Sequence, residues 1–182
     1  MREIYLVRHA ETMPDPERPP ASWALTEAGR TVAASLKGLL PELVFSSPEA
    51  KAMQTARQLT HLEVTAVEEF REHRADKVAW ISSDDFAISV ERYFSDRENR
   101  VWGDSHAETA ARFRAGLSHI ASQLDGATRC TVVSHGRILC SFLGNLSGTS
   151  GYELWKLLTM PTVIKLAVAD ETMRIEAISY FH

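Results

Sequence analysis

Two strand-like apolar runs constrain this chain most, because each ends on a histidine. Arg2-Glu3-Ile4-Tyr5-Leu6-Val7 passes directly into Arg8-His9-Ala10-Glu11-Thr12, and Cys130-Thr131-Val132-Val133-Ser134 passes directly into His135-Gly136. Open α/β sheets bind ligands at the carboxyl ends of their strands, where loops and helix N-termini converge. An arginine beside one of the two histidines implies an anionic ligand, and a second histidine implies that charge moves during a reaction. Phosphoryl transfer meets both requirements.

Periodicity places strands near 2 to 8 and 42 to 46, helices near 26 to 39 and 48 to 60, and a short strand around Leu62-Glu63-Val64-Thr65. The stretch from Glu68 to Asp85 is polar and poorly periodic and reads as loop, with one helix after it. Ala110, Phe113, Leu117, Ile120, Ala121 and Leu124 recur at helical spacing, so 105 to 124 is a long amphipathic helix stopped by Asp125-Gly126. A helix from 137 to 146, a Gly/Ser/Thr loop from 147 to 151 and strands near 162 to 168 and 173 to 178 complete the chain. Ala169-Asp170-Glu171-Thr172 reads as a hairpin turn, which makes one edge antiparallel. The βαβα order predicts a single α/β domain over 1 to 182, with a mostly parallel central sheet, one antiparallel edge strand and helices on both faces. The run Met13-Pro14-Asp15-Pro16-Glu17-Arg18-Pro19-Pro20 must be a loop beside His9, because its prolines lack donors and fix φ.

At 182 residues, 45% of them hydrophobic, the chain can bury one good core and not two. A net charge of -4 leaves no basic footprint for nucleic acid or an anionic membrane. No apolar run approaches the ~20 residues that span a bilayer, and no signal-peptide pattern opens the chain, so a cytoplasmic protein is expected. Cys130 and Cys140 fit neither a zinc nor a Cys-x-x-Cys spacing and read as buried thiols. His61, His73, His106, His119 and His182 show no ligand spacing, so neither a metal nor a cofactor is expected. Most of these read as surface residues, with His73 at the mouth of the site. Trp80, Phe86, Trp102 and Trp155 read as core or lid packing. The Ser46-Ser47-Pro48 turn should start a helix with a hydroxyl as its N-cap.

Taken in order, Arg8-His9-Ala10-Glu11-Thr12, Leu25-Thr26-Glu27-Ala28-Gly29, Ser46-Ser47-Pro48-Glu49-Ala50-Lys51-Ala52-Met53-Gln54-Thr55-Ala56, Glu72 and Ser134-His135-Gly136 are specific as a set. With them the chain resembles the histidine phosphatase superfamily, the phosphoglycerate mutase-like branch with its Arg-His-Gly signature. The resemblance implies a three-layer sandwich and a metal-independent histidine acid phosphatase-type phosphohydrolase. It departs from the family at Ala10, where glycine is usual, at Lys51, where a second arginine is usual, and at Arg137, where Gly or Asn is frequent. The Asn that often follows the first motif is absent, with Asp15 nearby.

The chemistry follows from the residue types. A neutral imidazole at His9 attacks phosphorus and forms a phosphohistidine, dividing one difficult displacement into two. Its tautomer would be fixed by a hydrogen bond from the other ring nitrogen to a backbone carbonyl. Arg8 grips two phosphoryl oxygens with its planar fork, and His135 donates to them together with backbone amides after Gly136. Lys51 supplies charge without a fork, and Arg137 is a second candidate to reach the substrate. Thr12 either donates to phosphate or caps its turn. Glu72 matches the family's proton donor to the leaving group, with Glu68 and Glu69 as competing carboxylates. A phosphoglycerate-type phosphomutase, a phosphohistidine-protein phosphatase and a non-catalytic phospho-ligand binding domain are the alternatives. The expected partner is a phosphorylated small molecule or phosphoprotein, and the protein is a monomer or homodimer.

Overall fold

The computed structural model describes residues 1–73, 82–124, 126–169 and 172–181. Arg74, Trp80, the Asp125 helix stop, the Asp170-Glu171 turn and His182 lie outside them. In chain order the elements are β1 (Arg2–Arg8), α1 (Glu27–Ser35), β2 (Val44–Ser46), α2 (Ala50–Leu59), β3 (Thr65–Ala66), α3 (Ser83–Ser95), α4 (His106–Ser122), β4 (Arg129–Ser134), α5 (Gly136–Ser147), α6 (Gly151–Leu157), β5 (Thr162–Ala169) and β6 (Thr172–Tyr180). Two 3-10 turns, Pro20–Ser22 and Glu68–Phe70, lie in the loops.

The strands form one sheet in the order β3-β2-β4-β1-β5-β6. β3, β2, β4 and β1 run parallel. β5 opposes β1 and β6 opposes β5, so the reversed strand is β5, one place in from the edge. Successive side chains of a strand point to opposite faces, and along β1 this divides the core in two. Ile4 and Leu6 pack with Phe113, Leu117 and Ile120 of α4 and with Ile138, Leu139 and Phe142 of α5. Val7 packs on the other face, with Leu36, Ala52, Ala56 and Leu59. The result is the expected α/β three-layer sandwich, in which each buried aliphatic or aromatic side chain contributes about 1.5–3 kcal/mol.

Local chemistry explains how the helices begin. The Thr26 hydroxyl accepts from the Gly29 N–H at 2.9 Å, capping α1, and donates to Glu11 at 2.7 Å. A Cβ on Gly29 would fall 2.4 Å from the Glu11 carbonyl oxygen, so glycine alone lets α1 close on the loop after His9. Ser105 and Glu108 form a capping box at the start of α4. The proline run is a loop up to Pro20, where a 3-10 turn begins with proline in a position that needs no N–H. The expected hydroxyl cap of α2 is not made. The N-cap is Glu49, without a side-chain cap bond of its own; the Ser47 hydroxyl accepts from the Glu49 N–H at 3.3 Å and lies 2.8 Å from His135 Nε2. The short helix α6 carries no apolar pattern to announce it, having seven residues and none of them buried. Cys130 and Cys140 are buried and free, and burial pushes both thiols up to about 12.

Candidate active site

β1 and β4 are neighbours in the middle of the sheet, with Arg8 opposite Ser134, so the residues that follow them arrive at one edge. Backbone bonds continue the ladder beyond the strands: His9 N–H to the Ser134 carbonyl at 2.9 Å, Ser47 N–H to the Val133 carbonyl at 2.9 Å, and Val67 N–H to the Ser46 carbonyl at 2.8 Å. Arg8, His9, Ser47 and His135 therefore converge. The Ser134 hydroxyl donates to the Phe70 carbonyl at 2.7 Å, anchoring the turn that leads to Glu72.

The two imidazoles lie with ring centroids 5.2 Å apart at 63°. His9 Nδ1–H donates to the Ala10 carbonyl at 2.8 Å, which leaves Nε2 with its lone pair. Burial first, then His135 and Lys51, hold this imidazole well below its ordinary 6.5. His135 is fully buried, with Nε2 at 2.8 Å from the Ser47 hydroxyl and 3.7 Å from the Glu49 carboxylate. Burial and Lys51 hold it well below 6.5 as well. Both rings are thus neutral when folded but take protons when unfolded below about pH 6.5. The unfolded state then binds more protons, so stability is expected to fall as pH drops through that value. Urea denaturation between mildly acidic and neutral pH checks this, with a shallower pH slope in His9→Ala.

Arg8 lies across Gly136, where a Cβ would come within 3.1 Å of the guanidinium carbon. Its Nη1 donates to the Leu158 carbonyl, and its buried Nε has no hydrogen-bond partner among the described residues. The buried Lys51 donates to the Pro20 carbonyl at 2.7 Å and to Glu49 at 2.8 Å, tying the proline loop to the site. The Ala10 N–H donates to Thr55 at 3.0 Å, and Thr12 forms an isolated antiparallel bridge with Leu25. The methyl of Ala10 is accommodated in a small core with Leu25 and Ala33.

Arg137 is buried and already partnered. Its guanidinium stacks 4.1 Å from the Trp102 ring centroid and pairs with Glu72 at 3.5 Å. An aromatic face and a carboxylate partner a buried cation well, and these contacts hold Arg137 in place. Phe86 packs 5.3 Å from the same guanidinium and Trp155 packs on Phe86, both partly buried.

Glu72 lies at the N-terminus of α5, accepting from the N–H groups of Arg137 at 3.4 Å and Ile138 at 3.2 Å. Two amides of the first turn of α5, those of Arg137 and Ile138, are thus bonded to this carboxylate. His73 Nδ1–H also donates to it at 3.1 Å, while Tyr93 O–H donates to His73 Nε2 at 2.5 Å. Burial alone would raise the Glu72 carboxyl, but Arg137 and His73 outweigh it and hold it well below the usual carboxylate range. Glu68 is exposed and pairs with Arg71 at 3.9 Å. One residue went unread in the sequence. Glu49 places its carboxylate between Lys51 and His135 and accepts the Glu72 N–H at 2.7 Å.

The profile of the histidine phosphatase superfamily (branch 1) matches residues 4–179. The chain belongs to this superfamily. No curated protein sequence matches this histidine phosphatase. Among solved structures it is similar to a mycobacterial protein described as hydrolase 1, at 20% identity and TM-score 0.76 over 100% of this chain and 99% of that one. It is similar to a mycobacterial glucosyl-3-phosphoglycerate phosphatase in complex with VO3, at 21% identity and TM-score 0.75 over 99% and 100%. A phosphoserine phosphatase from Entamoeba histolytica in complex with phosphoserine gives 18% identity and TM-score 0.74 over 98% and 97%. At these identities the likeness is one of fold.

Proposed function

We propose that this histidine phosphatase hydrolyses phosphomonoesters through a phosphohistidine on His9, acting as one domain over 1 to 182. The observation that carries the reading is the pair of neutral, facing imidazoles 5.2 Å apart, with Nδ1 of His9 engaged by a carbonyl and Nε2 free to attack. Arg8 receives the phosphoryl group through its unpartnered Nε, and His135 and Lys51 donate to the same oxygens. Negative charge on those oxygens makes such donors the main catalytic resource. Gly136 contributes by the absence of a side chain, which gives the Arg8 fork its place. Thr12 serves to hold the loop, and Glu72, beside the start of α5, is the proton donor to the leaving group.

The phosphatase names of two structural relatives, one bound to phosphoserine, support a small phosphorylated metabolite as substrate. No helix among the described residues is long and apolar enough to cross a membrane, which agrees with the proposed cytoplasmic location.

The test is hydrolysis of p-nitrophenyl phosphate in excess chelator, with inorganic phosphate measured as product. Stoichiometric p-nitrophenol and phosphate support the hydrolase. Phosphate binding without turnover supports a binding domain, and turnover that needs a second sugar or glycerate phosphate supports a mutase. In Gly136→Ala the new methyl pushes the guanidinium by a few tenths of an ångström, and kcat/KM should fall by about tenfold, since small misplacements of a phosphate clamp are costly.

A further inference from the structure

We propose that His73 is a positioning residue for the proton donor: its Nδ1–H fixes one oxygen of Glu72, so that the other, Oε2, carries the proton that goes to the leaving group. The inference rests on the phosphatase reading above, with Glu72 as the donor. Hydrogen bonds divide the two oxygens unequally. Oε1 accepts from His73 Nδ1–H at 3.1 Å and from the Ile138 N–H at 3.2 Å. Oε2 has longer contacts among the described residues, 3.4 Å to the Arg137 N–H and 3.5 Å to the Arg137 Nε.

The ring that holds Oε1 is itself held. The His73 side chain is fully buried, whereas Glu72 keeps 12% of its side chain exposed. Tyr93 of α3 donates to His73 Nε2 at 2.5 Å, and the Thr109 hydroxyl of α4 lies 3.1 Å from the same nitrogen and 3.0 Å from the Tyr93 oxygen. Two hydroxyls at Nε2 keep that nitrogen an acceptor and place the ring proton on Nδ1, facing the carboxylate. The rings of Tyr93 and Trp102 pack against the imidazole at 4.8 and 5.8 Å. A hydrogen-bonded chain therefore runs from two helices through one imidazole to Glu72 and stops its carboxyl from turning.

The proton then has one course. Glu72 takes it up from solvent on Oε2 as the phosphorylated substrate settles. His9 Nε2 bonds to phosphorus while the bond from phosphorus to the ester oxygen breaks, the electron pair stays on that oxygen, and the Oε2 proton passes to it. In the second half water attacks the phosphohistidine and its proton returns to Oε2, as the nitrogen–phosphorus bond breaks to give inorganic phosphate. His73 stays neutral throughout, because burial holds it below its ordinary 6.5 against the pull of Glu72. The other charged or titratable groups about this pair are Arg137 of α5, Arg112 of α4 and Tyr93 of α3, with His135 facing the carboxylate.

Three variants test the assignment, assayed on p-nitrophenyl phosphate, whose leaving group needs no proton, and on an alkyl phosphate, whose leaving group does. Asparagine can present an N–H where Nδ1 stood, glutamine presents one where Nε2 stood, and phenylalanine keeps the bulk of the ring without either nitrogen. In His73→Phe and His73→Gln the first-turnover rate on the alkyl ester should fall by about 10²-fold and the p-nitrophenol burst by less than about tenfold. His73→Asn should stay within about tenfold of the intact chain on both. The lost N–H had favoured the charged carboxylate, so the Glu72 carboxyl rises, and the high-pH limb of kcat on the alkyl ester should move up by about one pH unit in His73→Phe but not in His73→Asn. A retained burst shows that each variant is folded. An equal loss on both substrates, a ranking that places glutamine above asparagine, or an unmoved limb would overturn the assignment and leave His73 a packing residue. Should the variants fail to fold, ¹⁵N NMR of the intact chain decides: a proton on Nδ1 of His73 with Nε2 bare supports the assignment, and the opposite tautomer overturns it. Absence of turnover by the intact chain on any ester would instead sink the phosphatase reading itself.

Discussion

His9→Ala is expected to lose at least about 10⁴-fold in kcat/KM on phosphomonoesters, because removing a covalent nucleophile removes the whole two-step route and leaves only binding and electrostatics. The variant should still fold. His9 lies just beyond the end of β1, and its backbone bond to Ser134, which continues the ladder, does not involve the ring. Among the described residues the ring's one hydrogen bond runs to the adjacent Ala10 carbonyl. Steady-state assay beside thermal unfolding checks both halves: a variant that keeps activity within tenfold of the intact chain would remove His9 from the chemistry.

The largest effect on stability is expected at Glu72. Its carboxylate is the shared partner of Arg137, His73 and the first amides of α5. Substitution by leucine leaves a cation and helix donors buried without an acceptor, a change that costs about 3–5 kcal/mol. That is a large fraction of the 5–15 kcal/mol that holds a typical domain together. Urea denaturation should show the loss in Glu72→Leu and almost none in the exposed Glu68→Gln. The folded carboxyl is held well below 4.5, so its stabilisation is present above the unfolded value of about 4.3 and is lost as pH falls below it. In Glu72→Leu that acid-side decline should be shallower.

Much of this was legible in the chain itself. Short apolar runs ending at Arg8 and Ser134 identify the two central parallel strands, and the parallel register then makes neighbours of His9 and His135. The amphipathic pattern of α4 reads directly, because Phe113, Leu117 and Ile120 all face the sheet. The partners of charged side chains were not legible. Glu49 follows a proline at a helix start, where an acidic residue is ordinary, and only the closing of the proline loop and the 68 to 72 turn buries it beside Lys51. Arg137 stacks on Trp102, 35 positions back in the chain, a contact set by the loop before α4. Glu72 was identifiable as a site carboxylate, but its four donors come together only when β4 turns into α5.

The central claim is the bond between His9 and phosphorus. The direct measurement is to mix the protein with a ³²P-labelled phosphomonoester, quench in alkali during the first turnover and locate the label after digestion. The account predicts base-stable, acid-labile label on the peptide carrying His9, appearing before inorganic phosphate. Release of labelled phosphate without any protein-bound label, or label on His135 instead, would contradict it.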